Sequence, residues 1–374
     1  MRCPRCKTTD PKYFYKVNGR CYCRRCIAFG RIFCDEKLKS QEVSKINKHV
    51  YYELSYTLSS AQKKIAQHLM ENFIHHKDSV VWAVCGSGKT ELIYDSIAYA
   101  LNQNLRVCVA IPRRTLVEEI GERIRKQFIG IAPSLFYGGH QGDLTAPLIV
   151  CTTHQLYRFY KCFDLLILDE IDAYPYQGNP LLKDLLFGSL KGNYIFMSAT
   201  LDAESYPNAE LFVLNRRYHL IDLPIPKWQF CWGKMWKSQV QHYLMNWKKP
   251  VLIYVPRIKD LDQFKGWQRR WRYATVSSHS NDVSSLIDKL RHRDLDFLVT
   301  TTLLERGVTI EDVQVIVVEA DHLVYTKEVL LQIAGRVGRS PKAPTGEVIF
   351  LSSQKTKAIA GCIQTIIDLN HMTV

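Results

Sequence analysis

The stretch VVWAVCGSGKT, residues 80–90, decides the reading of this chain. An apolar run, VVWAV, leads directly into a glycine-rich turn, and a helical pattern beginning ELIYDSI follows. A turn of this kind between strand and helix lets backbone N–H groups converge on phosphate. Gly86, Ser87 and Gly88 form the tight part of the turn, Lys89 would neutralise β- and γ-phosphate charge, and Thr90 would ligate Mg2+. Alanine at position 83, where the usual pattern has glycine, leaves this turn intact. ATP with Mg2+ is the expected ligand.

Working outward, short apolar runs alternate with helical patterns. SVVWAV, LRVCVAIP, PLIVCTT, FDLLILDE and NYIFMSAT make a first set, and PVLIYVP, YATVSS, LDFLVTT, VQVIVVEA and GEVIFLSS a second. Near-continuous apolar strands separated by amphipathic helices form parallel sheets covered on both faces. The expected class is α/β with two such domains in tandem: residues 46–215, then 216–374, with TKAIAGCIQTIIDLNHM as a closing helix. Residues 1–45 stand apart as a small cysteine-rich domain and linker, and residues 35–50 read as a linker or a solvent-facing helix leading to the larger domain. No internal repeat at a solenoid period is found.

Lys and Arg number 50 against 36 Asp and Glu, a net charge of +14 that suits a polyanionic partner. Residues 1–45 alone hold twelve basic and four acidic side chains. No apolar run reaches the length of a membrane span, and MRCPRCKTTD lacks the apolar core of a secretory signal, so a cytosolic location is expected, with peripheral membrane docking open. Between the two sets of strands, LPIPKWQFCWGKMWKSQVQHYLMNWKK carries two prolines and four tryptophans. Its aromatics either pack a domain edge or stack on bases.

LLILDEIDA delivers Asp169 and Glu170 at the carboxyl end of a strand, the edge where open α/β sheets bind ligands. Asp169 would hold Mg2+, and Glu170 would orient or deprotonate the attacking water. MSAT, residues 197–200, follows the next strand. In the second domain come TTTLLERGVTI (300–310) and QIAGRVGRS (332–340), whose Arg336 and Arg339 are expected three apart on one face of a helix. Guanidinium groups there would stabilise the transferring phosphoryl group; a surface salt-bridge role is the plainer alternative.

In this ordered set the chain resembles superfamily 2 helicases, built on two RecA-like domains. The likeness implies that Gln62 reads the adenine edge and that Gly307 joins the nucleotide site. It implies further that Arg113, Gly139, Thr153, Thr301 and Thr302 line a strand-binding channel through phosphate contacts. Thr309 departs from the aspartate common among RNA-helicase relatives, which argues against that branch.

Cys3-x2-Cys6 and Cys23-x2-Cys26 are separated by sixteen residues, a spacing found in four-cysteine zinc ribbons. Four thiolates around Zn2+ make a closed structural site for a segment too small for its own core. Buried reduced cysteines would need an apolar setting that the Arg- and Lys-rich flanks lack, and a redox role lacks the βαβ context. Cys21 and Cys34 are left over. Arg24 and Arg25, between two ligands, are expected to meet DNA phosphate, with a docking role as the alternative. His154 is read as a packed side chain.

A ribbon ahead of an uninterrupted helicase core, with YCRRCIAFGR, DEIDAYPY and LLERGVTI, resembles the ComFA family of late competence ATPases. That resemblance implies an ATP-driven translocase of single-stranded DNA in natural transformation. It also implies a ComFC-like phosphoribosyltransferase-fold partner at the membrane DNA channel, in an assembly that can be oligomeric. A primosome-type restart helicase and a zinc-ribbon DNA-binding protein on a non-hydrolysing scaffold are the other readings.

Overall fold

Continuous apolar runs such as Val107–Ile111 and residues 165–168 leave little polar surface for water on either side, so they lie in strands buried on both faces. The computed structural model describes residues 1–84, 86–173, 175–200, 206–277, 280, 282–301 and 310–372. The chain divides into two units, Met1–Trp82 with Gly88–Val213, and Ala83–Ser87 with Leu214–Val374.

The first unit opens with the hairpin β1 (Phe14–Val17) and β2 (Arg20–Cys23). Then come β3 (Tyr51–Tyr52), α1 (Ser60–Ile74), β4 (Ser79–Ala83), α2 (Tyr94–Asn102), β5 (Val107–Ile111), α3 (Arg114–Gln127) and β6 (Phe128–Ile129). β7 (Ser134–Tyr137), β8 (His140–Gln141), β9 (Leu148–Thr152), β10 (Phe163–Asp169), α4 (Pro180–Ser189), β11 (Leu190–Ser198) and β12 (Glu210–Leu214) complete it. The main sheet runs β12-β4-β11-β10-β5-β9-β7-β8. β4, β11, β10, β5, β9 and β7 pair in parallel, and β8 is antiparallel to β7.

The second unit comprises β13 (Lys227–Phe230), α5 (Trp236–Trp247), β14 (Val251–Tyr254), β15 (Tyr273–Val276), α6 (Val283–Arg291), β16 (Phe297–Thr300), β17 (Gln314–Val318), α7 (Lys327–Ala334), β18 (Val348–Ser352) and α8 (Lys357–His371). All six strands are parallel, in the order β13-β18-β17-β14-β16-β15. Each unit is thus built on a sheet of mainly parallel strands with helices, the tandem α/β arrangement expected from the alternating pattern. Among the described residues no helix is long and apolar enough to cross a membrane.

The segment expected as a linker or helix, residues 35–50, is a linker without helix. Ser40 Oγ donates to the Lys161 carbonyl, Gln41 Nε2 to that of Arg158, and the Ser44 amide to that of Thr145, which lay the linker over the first unit. The helix expected from Thr90 begins with a 3-10 turn, Thr90–Ile93, before α2.

The register that brings Asp169 opposite Met197 depends on a small residue. β10 and β11 slip register between Phe163 and Leu165, and a Cβ on Gly192 would lie 2.2 Å from the Asp164 carbonyl oxygen. Gly192→Ala must therefore push the two strands apart. A loss of about 1–3 kcal/mol in the stability of the first unit is expected from chemical denaturation; wild-type stability would mean that β10 is not held in this register.

Candidate functional site

Strand ends bring the phosphate-loop and acidic residues of the first unit together. α1 is capped by Ser59, whose Oγ accepts from the Gln62 amide while Gln62 Oε1 accepts from the Ser59 amide at 2.8 Å. This fixes the buried Gln62 side chain, 3% exposed, beside the phosphate loop. A Cβ on Gly88 would lie 2.5 Å from Gln62 Nε2 and displace that side chain, and φ 78° at position 88 is the backbone that calls for glycine. Thr90 is buried and within 3.5 Å of Arg123 Nη1, which also pairs with Glu91. Glu91 in turn accepts from the Tyr56 hydroxyl at 2.6 Å.

Asp169 ends β10 at 7% exposure, and Glu170 follows with φ 59°, a left-handed turn rarely adopted by non-glycine residues. Burial raises the Asp169 carboxyl to about 6, opposed by the positive charge of Lys89. Its Oδ1 accepts from the Glu170 amide at 2.9 Å. The Asp172 carboxylate accepts from the Thr200 hydroxyl, whose own amide donates to Ser198 Oγ at 2.9 Å. DEID and SAT are thereby one hydrogen-bonded unit across the ends of β10 and β11. Sequence reading placed both motifs but not this link, because two motifs separated by 25 or more residues carry no local sign of a shared side-chain bond.

In the second unit, the expectation that Arg336 and Arg339 share a helix face is corrected. α7 ends at Ala334 with Gly335 at its cap, and Gly338 adopts φ 71°, which breaks the helical path between the arginines. Arg336 is 2% exposed and Arg339 is half-buried. The loop is held from an unexpected quarter. Arg217, 1% exposed, donates from Nη1 to the Val337 carbonyl at 2.6 Å and from Nη2 to that of Gly335 at 3.0 Å. Tyr218 Oη donates to the Arg339 carbonyl, and His219 Nε2 to that of Gly338. NRRYH, residues 215–219, is therefore the clamp on the arginine loop, and no motif in the sequence marked it.

The four cysteines converge. Cys3, Cys6, Cys23 and Cys26 have their Sγ atoms within 4.8 Å of one another and are fully buried. Cys3–Cys26 and Cys6–Cys23 lie at 3.8 and 3.7 Å, close to the sulfur–sulfur edge of about 3.8 Å that a tetrahedron with bonds of about 2.3 Å requires. Cys21 and Cys34 stay outside the cluster, joined by a backbone hydrogen bond.

The ribbon is docked on the first unit. Arg25 Nη1 donates to Asp184 Oδ2 of α4 at 2.5 Å, and Arg5 lies over the Tyr157 ring at 5.6 Å. Phe29 packs on Tyr157 at 5.0 Å and reaches His154 at 6.3 Å. His154 is half-buried, burial lowers its pKa, and the reading as a packed side chain fits. Arg25 is thus turned to a carboxylate, while Arg24 is exposed.

The channel residues implied by the resemblance fare unequally. Gly139 is exposed in the two-residue turn between β7 and β8, Arg113 caps α3, and Thr301 follows β16 at intermediate exposure. Thr153 is fully buried at the start of a 3-10 turn, so its side chain offers no open channel contact. Thr302 and Gly307 lie outside the described residues.

Residues 59–208 match the DEAD/DEAH box helicase family and residues 236–341 the helicase conserved C-terminal domain. The chain is 35% identical to competence protein ComFA of Bacillus subtilis, covering 99% of this chain and 86% of that protein. The chain belongs to the ComFA family. Streptococcus pneumoniae ComFA is also 35% identical, over 98% of this chain and 90% of that relative. The fold of this ComFA-family chain is similar to that of S. cerevisiae Dbp5 bound to RNA and ADP BeF3, with TM-score 0.58 and 19% identity over 84% of this chain and 92% of that one. ComFA membership and the two helicase domains make it a nucleic-acid-dependent ATPase of the helicase class.

Two outcomes follow for this ComFA-family site. A carboxyl raised by burial favours folding while protonated, fully so below its unfolded value of 3.8, and loses that contribution as pH rises through about 6. Asp169→Asn should therefore raise the unfolding midpoint relative to wild type at pH 8 and not at pH 4, with a gain in unfolding free energy of at most about 3 kcal/mol. A lower midpoint at pH 8 would contradict the buried-charge account. Arg217→Met strips donors from two carbonyls in a buried loop, so a loss of about 2–4 kcal/mol in the second unit and faster amide exchange at residues 335–339 are expected. Unchanged exchange there would exclude the clamp.

Proposed function

We propose that the chain is an ATP-dependent translocase of single-stranded DNA that powers DNA uptake in natural transformation. The observation that carries the proposal is Lys89 beside a buried Asp169 with Glu170 next to it, an arrangement suited to nucleotide hydrolysis. Competence is the process named for both bacterial relatives, and the charge of +14 supports a polyanionic track.

In this reading Gln62 recognises adenine, and Gly86, Ser87 and Gly88 cradle the phosphates with Lys89. Gly307 completes the nucleotide site by the family likeness. Thr90 and Asp169 would hold Mg2+, which when bound neutralises charge on the β- and γ-phosphates. Glu170 accepts a proton from the attacking water as the new P–O bond forms and the bond from the γ-phosphorus to the bridging oxygen breaks. Arg336 and Arg339 stabilise charge on the transferring group.

Arg113, Gly139, Thr301 and Thr302 contact the strand backbone, and alternate gripping by the two domains gives directed movement. Thr153 contributes through the packing of its turn. Cys3, Cys6, Cys23 and Cys26 would hold Zn2+, which supplies folding energy to the ribbon. With Arg25 committed to Asp184, the ribbon's first role is to brace the Thr153–Arg158 turn and α4, and of the Arg24–Arg25 pair it is Arg24 that is left for DNA or a protein. A ComFC-like partner and a membrane channel belong to the same reading, with the chain acting at the inner face of the membrane, alone or as an oligomer.

Glu170→Gln tests the chemistry. Phosphate release in the presence of single-stranded DNA should fall by roughly a hundredfold or more, while equilibrium ATP binding is preserved; undiminished release would remove Glu170 from the reaction.

A further inference from the structure

The four tryptophans of residues 223–250 have separate fates. Trp236 is 3% exposed and packs on Phe264 at 5.1 Å. Trp228 donates its indole N–H to Ser352 Oγ at 2.8 Å, and Trp247 donates to Glu347 at 3.2 Å. Each of these three is anchored in the second unit. Trp232 is 67% exposed, an unusual state for so large an apolar ring. Phe230 at 53% and Met235 at 54% flank it.

The backbone beneath these side chains is fixed. The Cys231 amide donates to the Ser352 carbonyl, continuing the ladder past β13, and Gln239 Nε2 donates to the Phe230 carbonyl. The Trp232 carbonyl accepts from the Met235 amide at 3.1 Å, and Gly233 turns the chain with φ 53°. Trp232 is therefore presented on a pinned turn, which reduces the ordering cost of a contact made there.

Its position and charge point to one occupant. β13 runs parallel to β18, so Trp232 lies at the carboxyl edge of the sheet, the edge at which β16 ends and Thr301 follows. From Leu223 to Lys259 the chain holds seven Lys and Arg residues and no Asp or Glu. Lys234, two residues after Trp232, is exposed. The neighbouring acids are engaged: Asp321 accepts from the Ser353 amide and hydroxyl, and Glu319 pairs with Arg257. An exposed aromatic on a rigid turn in an acid-free basic segment suits unpaired bases whose phosphates lie beside lysine.

We propose that Trp232, with Phe230 and Met235 beside it and Lys234 as its cation, is a stacking platform for the bases of single-stranded DNA. The proposal rests on the single-stranded DNA reading above and extends it from phosphate tracking to base contact.

The test uses the full chain and an oligothymidylate of about 20 nucleotides, with anisotropy titrations over a salt series. Trp232→Ala should weaken binding roughly tenfold or more, with the salt dependence unchanged, while Trp232→Phe keeps most of the affinity. Lys234→Ala should lower the salt slope by about 1. On an abasic oligodeoxyribonucleotide of the same length, wild type and Trp232→Ala should bind alike. Wild-type thermal unfolding of Trp232→Ala serves as the folding control. If wild type binds and Trp232→Ala binds equally well, the platform is wrong and the exposed ring serves a protein contact instead. If wild type binds no single-stranded DNA, the underlying reading falls and the platform with it.

Discussion

A carboxylate held under the surface at the end of a strand loses its hydration, and at Asp169 this burial outweighs the opposing positive charge of Lys89. The rest of the first unit can be followed from this pair. Parallel pairing on both sides of β10 keeps the strand buried, the slip accommodated at Gly192 sets its register, and the left-handed turn at Glu170 ends it where the phosphate loop also ends. The Asp172–Thr200 bond then ties the acidic segment to the next strand end. Movement of the DEID segment therefore disturbs SAT, and movement of SAT disturbs DEID.

The second unit solves a related problem with cations. The loop that carries Arg336 and Arg339 is not ordered by helix α7, which ends at Ala334, and Gly338 turns left-handed between the two arginines. Arg217 supplies the missing order by occupying two loop carbonyls from a fully buried position. Charge-assisted hydrogen bonds of this kind are strong enough to define a conformation. At the opposite end of the chain, the four-cysteine ribbon is joined to the first unit through the Arg25–Asp184 pair and the Phe29–Tyr157 contact. It reads as an extension of that unit, and a change in the ribbon should be felt at the Thr153–Arg158 turn.

Much of this was legible in residues 80–90 and in the alternation of apolar runs, since burial on both faces leaves a pattern that survives without structural knowledge. The cysteine spacing likewise predicted the four-sulfur cluster. Less legible was anything that depends on a partner distant in sequence. Arg25 is basic by composition, yet its counterion is Asp184. Thr153 matches a channel motif, yet it is fully buried. Arg336 and Arg339 have helical spacing, but α7 ends at Ala334 and the left-handed Gly338 between them overrides it. Trp232 and Trp236 share one short segment, and packing against Phe264 and Trp267 distinguishes the buried ring from the exposed one.

The central claim is that these two α/β units hydrolyse ATP in response to single-stranded DNA. The most direct measurement is the steady-state ATPase rate of the full chain with single-stranded DNA, duplex DNA or RNA, each across a salt series. The account predicts strong stimulation by single-stranded DNA, weaker stimulation by the other two, and a DNA concentration for half-stimulation that rises steeply with salt. Equal stimulation by duplex DNA or RNA, or a rate indifferent to nucleic acid, would contradict it.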